Sequence, residues 1–135
     1  MLVLDAWAVM AWLKGEQPAA ERVRLLLEAA GRREHRLLMN IVNLGEVFYL
    51  SAKARDIVYA ERVFESLRSR VATISASDDL VMLAASLKSR NAISYADAFA
   101  AATALLREAP LVTGDPELRA MAAQEKSLKL EWIAA

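Results

Sequence analysis

Leu2-Val3-Leu4-Asp5-Ala6-Trp7-Ala8-Val9 places two kinds of structure within eight residues. Leu2-Val3-Leu4 has no polar position, so it reads as a strand buried on both faces. Over residues 6–13 the small and apolar side chains are too many for one strand face, and the pattern becomes helical. Asp5 stands at the junction. The same order returns late in the chain. Residues 110–113 (Pro-Leu-Val-Thr) form a strand pattern, Gly114-Asp115 follows, and Pro116 stands where the first residue of a helix belongs. Strands that alternate with helices argue for an α/β fold with a mainly parallel sheet. In such sheets the functional crevice lies beyond the carboxyl ends of the strands, where both acids stand.

The segments between fill in the alternation. An amphipathic helix carries Val23, Leu26, Leu27 and Ala30 on one face and Glu21, Arg22, Arg24 and Glu28 on the other. Residues 37–39 form a second strand closed by Asn40 as a helix N-cap, followed by a helix over 41–53. A helix over 56–69, a strand over 71–74 and a helix capped by Ser77 come next. The stretch from Ile93 to Leu106 is small or apolar on nearly every side, which predicts a helix through the middle of the fold. A short helix after Pro116 and an edge strand over 128–133 complete the pattern. No repeat, linker or low-complexity segment interrupts residues 1–135, which read as a single domain.

Composition narrows the function. At 135 residues, 56% hydrophobic and 25% charged, the chain can bury a sizeable core. Cysteine is absent, which excludes a disulfide framework and a thiolate metal site. The first residues form a strand ending in Asp5, not a basic region before a long apolar run, so a cytoplasmic location is expected. No uncharged run reaches the roughly 20 residues that span a bilayer, so no membrane partner is expected. Seventeen basic side chains balance seventeen acidic ones, which excludes attachment to nucleic acid by bulk charge alone.

Four acids stand out. Asp97 follows Ser94 by three residues, the spacing of a capping box, and lies at the positive end of its helix. Asp5 and Asp115 also suit N-cap positions. Capping therefore accounts for three of the four. It leaves Glu46, which has Val42 and Leu50 a turn away on its own face and Leu44 and Phe48 opposite. A carboxylate between two apolar faces needs a counter-charge or a metal. Gathered in one crevice, such acids repel one another and favour a hard divalent cation, Mg²⁺ or Mn²⁺. The one histidine, His35, lies in a polar connection and reads as a solvated loop residue. Clustered carboxylates with such ions suit phosphodiester hydrolysis. No Ser-His pair or glycine-rich phosphate loop competes for the chemistry.

Val3-Leu4-Asp5, Asn43-Leu44-Gly45-Glu46-Val47, Ile93-Ser94-Tyr95-Ala96-Asp97-Ala98 and Leu111-Val112-Thr113-Gly114-Asp115-Pro116-Glu117 resemble the acidic motifs of PIN domains. In order, spacing and length the chain is similar to the VapC-like toxins of toxin–antitoxin pairs. The resemblance implies a three-layer α/β/α sandwich and Mg²⁺- or Mn²⁺-dependent RNA cleavage. It also implies a homodimer and a small antitoxin that blocks the site. Asp5, Glu46, Asp97 and Asp115 match the family's metal-binding acids. A hydroxyl residue commonly follows the first acid in the family, and here Ala6-Trp7 follow it. Thr113 is placed to serve a similar supporting role. Saturating four acids with metal leaves 13 against 17 basic side chains, a surplus suited to RNA. Lys53, two turns from Glu46, and Arg119, one turn after Asp115, are candidate phosphate contacts. Trp7 reads as core, with base stacking as its alternative. A PIN-like module that binds RNA or a protein partner without cutting is the competing reading of the whole chain.

Overall fold

In the computed structural model, which describes residues 1–135, five strands form one sheet. They are β1 (Leu2–Leu4), β2 (Leu37–Asn40), β3 (Val71–Ile74), β4 (Leu111–Thr113) and β5 (Leu130–Trp132). The order is β3-β2-β1-β4-β5, and every neighbouring pair is parallel. The sheet is thus wholly parallel, where a mainly parallel one was expected. β5 is an edge strand as expected, but only three residues of 128–133 pair, with Leu130 opposite Leu111.

The strands are apolar along their length because both faces of the sheet are covered. Successive side chains point to opposite faces. Val3, Leu38 and Leu111 enter one core with α5 (Asp78–Arg90), α6 (Tyr95–Arg107) and α7 (Pro116–Gln124). Leu4, Leu37, Met39 and Val112 enter the other with α1 (Ala6–Lys14), α2 (Ala19–Gly31), α3 (Ile41–Ala54) and α4 (Ile57–Arg68). The result is an α/β/α sandwich. α6 is the middle helix that its composition predicts: every residue from Ala98 to Ala104 is buried. It packs on β1, β2 and β4 and against α3 and α5. α2 keeps Val23 and Leu27 inside, while Arg24 outside reaches Glu21 and Glu28. No helix is long and apolar enough to cross a membrane.

The chain runs outward from β1 through β2 to β3, then crosses to β4 on the other side of β1. This reversal makes the carboxyl ends of β1 and β4 the switch point, where α/β sheets open a crevice.

Candidate metal centre

Asp5 leaves β1 at that switch point and caps α1. Its Oδ1 accepts the Ala8 N–H at 2.7 Å, and the Thr113 hydroxyl donates to its Oδ2. Thr113 ends β4, so one short bond ties the two strand ends together. The Thr113 oxygen also accepts the Asp115 N–H at 3.0 Å, and Asp115 caps α7 by accepting the Glu117 N–H at 2.9 Å. The Asp5, Ser94 and Asp115 caps read from the sequence are all present; at α6 the Ser94 oxygen accepts the Asp97 N–H at 3.1 Å. The Asp97 carboxylate has no ion-pair partner and is faced only by the Ser94 hydroxyl, whose hydrogen bond opposes the rise of its pKa. The Oε1 of Glu46 is buried and has no hydrogen-bond partner.

The electrostatics link three of the acids to Asp115. Asp5 is 1% exposed, and burial pushes its carboxyl up from 3.8 to about 7. The bonds from Thr113 and Ala8 oppose that rise, and Asp97 and Asp115 add to it. Burial likewise raises Asp97 to about 6, with Asp115, Glu46 and Glu117 adding repulsion. Glu46 is raised by burial and then by Asp115. The carboxylate of Asp115 therefore acts on all three others, so the structure places the predicted set within electrostatic reach of Asp115.

The set is gathered but not closed. No group of three or more acidic or histidine side chains forms a ready cage for an ion. Both oxygens of Asp5 and one of Asp115 are engaged in local hydrogen bonds. The donor chemistry still fits a hard cation: only oxygens are offered, two acids are held well above their usual range, and Glu46 has no counter-charge.

The basic candidates each lie over an aromatic ring. Lys53 is exposed, with Nζ 5.6 Å from the Tyr49 ring centroid. The Arg119 guanidinium lies 4.0 Å from the ring centroid of Trp132. Neither pairs with any of the four acids. His35 is exposed in the turn before β2. Trp7 is half-buried and packs with the α1–α2 core. Its ring also explains the glycine before Asp115: a Cβ on Gly114 would overlap Trp7 Cη2 and Cζ3.

Asn43 escaped the sequence reading. It is fully buried on α3, one turn before Glu46, and its Nδ2 donates to the Ala96 carbonyl at 2.9 Å. The available signal was an amide on the apolar side of a helix, a turn from an unexplained carboxylate.

A family model for the PIN domain matches residues 2–124. The chain belongs to the PIN domain family. No curated protein sequence matches this PIN domain. Among solved structures, it resembles VapBC2 of Rickettsia felis bound to a promoter DNA fragment, at 19% identity over 98% of each chain and a TM-score of 0.74. VapBC-1 of nontypeable Haemophilus influenzae is 22% identical, with 97% of this chain and 96% of that one covered and a TM-score of 0.70. VapC20 of Mycobacterium tuberculosis, a toxin that cleaves the sarcin–ricin loop, is 16% identical. There the coverage is 89% of this chain and 94% of that one, with a TM-score of 0.70. At these identities the likeness is one of fold.

Proposed function

We propose that this PIN domain is a Mg²⁺- or Mn²⁺-dependent endoribonuclease, the toxin of a toxin–antitoxin pair, with Asp5, Glu46, Asp97 and Asp115 as its metal-binding acids. The observation that carries the reading is the buried, unpartnered carboxylate oxygen of Glu46, on which Asp115 acts and which itself acts on Asp97. Such a set is costly alone and is relieved by a cation. A bound divalent ion lowers the pKa of an attacking water and stabilises the leaving oxygen of a phosphodiester. Thr113 orients Asp5 and, through the Asp115 N–H, the start of α7. Asp97 is held in the first turn of α6 by its backbone N–H, which donates to the Ser94 oxygen, and its carboxylate carries no ion pair.

RNA is the substrate we favour, in keeping with the sarcin–ricin cleavage of a toxin of similar fold. A small antitoxin as partner follows the VapBC complexes of similar fold. A homodimer, a cytoplasmic location and a single domain over residues 1–135 belong to the same proposal. The non-catalytic module is favoured by two observations: Ala6 brings no hydroxyl beside Asp5, and the acids form no closed cage.

One experiment separates the two readings. Purified protein is titrated with Mn²⁺ by following the free-ion electron paramagnetic resonance signal, and RNA cleavage is then measured with and without chelator. The nuclease reading expects Mn²⁺ uptake and cleavage that chelator abolishes. Uptake without cleavage supports the binding module. Absence of uptake refutes the metal assignment.

A further inference from the structure

The amide of Asn43 has a fixed orientation. Its Nδ2 donates to the Ala96 carbonyl, and a carbonyl only accepts, so Oδ1 is turned away from Ala96. That Oδ1 is buried and meets no donor. The Oε1 of Glu46 is buried and meets none either. The two residues are three apart on α3, which makes their side chains neighbours on one face. Two adjacent buried acceptors thus stand without a hydrogen between them. No lysine or arginine reaches either one. A third acceptor would worsen the arrangement. A water, with two hydrogens to give, satisfies both, and a water polarised by a cation does so most strongly.

The bond to Ala96 has a second consequence. Ala96 precedes Asp97 in the first turn of α6, so Asn43 fastens the helix of Glu46 to the turn that carries Asp97. The side chain joins two members of the acidic set while contributing no charge of its own.

We propose that Asn43 is a positioning residue of the acidic site. Its Nδ2 pins the first turn of α6 to α3, and its Oδ1, beside Glu46, accepts a hydrogen from a water that binds with the divalent ion. This rests on the metal-dependent reading above. Partners that orient a metal's ligands and waters commonly set affinity by 10- to 100-fold when removed.

The test compares wild type, Asn43→Ala, Asn43→Leu and Asn43→Asp in Mn²⁺ titrations, with folding followed by circular dichroism. Asn43→Ala and Asn43→Leu lose both functions of the amide and are expected to weaken Mn²⁺ binding about 10-fold or more. Asn43→Asp loses the donor to Ala96 but keeps an acceptor of the same shape. It is expected to melt below wild type yet bind Mn²⁺ within a few-fold of it. A tether alone moves the melting temperature and predicts no such rescue. Wild-type Mn²⁺ affinity in folded Asn43→Ala or Asn43→Leu overturns the inference, as does an Asn43→Asp protein as weak as Asn43→Leu. A wild-type protein that takes up no Mn²⁺ overturns the metal reading before any variant is compared.

Discussion

Asp5→Asn tests the electrostatics of the site without a substrate. The unfolded chain gives up the Asp5 proton near 3.8 and the folded protein near 7. Between those values the folded state holds the extra proton, so stability contributed by this group is complete below 3.8 and falls as pH rises through 7. At 1.36 kcal/mol per unit the total loss is about 4 kcal/mol, of which about 3 kcal/mol falls between pH 5 and 8. Asparagine does not ionise. Its oxygen still accepts the Ala8 N–H, and its amide faces the Thr113 oxygen. Urea unfolding in chelator is measured at intervals from pH 5 to 8 for both proteins. Whatever the substitution costs at pH 5, the variant is expected to gain about 3 kcal/mol on wild type by pH 8. At roughly 4 °C per kcal/mol for a chain of this size, the melting temperatures diverge by about 10 °C. Parallel pH curves would show that Asp5 ionises in its ordinary range and would refute the argument.

Asp97→Asn is expected to abolish RNA cleavage with an unchanged or higher melting temperature at pH 8, since asparagine keeps the backbone N–H that Ser94 accepts and an oxygen to face its hydroxyl; full cleavage by the variant removes Asp97 from the site. Glu46→Gln is expected to hold or raise the melting temperature in chelator and to lose most of the stabilisation that Mn²⁺ adds. A variant that melts far lower in chelator, with its Mn²⁺ shift intact, would make Glu46 a structural partner instead. Gly114→Ala forces a methyl into the Trp7 ring and toward Ala134, and overpacking of this kind costs about 1–3 kcal/mol. Adding Trp7→Leu is expected to recover part of that loss, and additive effects in thermal unfolding would refute the contact.

Particular residues show what was legible in the chain and what was not. The uninterrupted Leu2-Val3-Leu4 run encodes burial on both faces, and Asp5 marks the carboxyl end of that strand. Glu46 was legible because its helix is apolar around it, so its isolation follows from local periodicity. Ser94 and Asp115 followed from capping chemistry. The bond from Thr113 to Asp5 was not legible as a contact, because it joins positions 108 apart that no local pattern connects. Asn43 was missed for the same reason: its partner, Ala96, lies 53 residues away. Trp7 against Gly114 is likewise a meeting of distant segments. The basic candidates were legible only as spacing. Lys53 and Arg119 have the right helical spacing from the acids, but flexible side chains settle on the nearest aromatic ring, Tyr49 or Trp132.

The place of β1 at the centre of the sheet bears on when the protein becomes what it is. Val3 needs a neighbour on each side, Leu38 and Leu111, and the second is made more than a hundred residues after the first strand. During synthesis β1 therefore waits, flanked on one side only, and pairing over such a separation is intrinsically slow. Asp5 gains its hydroxyl partner only when Thr113 arrives. A chain halted before β4 has the first acid, and even Glu46 and Asp97, but no switch point at which to assemble them. Topology thus acts as a completion check: the acidic set comes together only in a chain made as far as β4 and the start of α7.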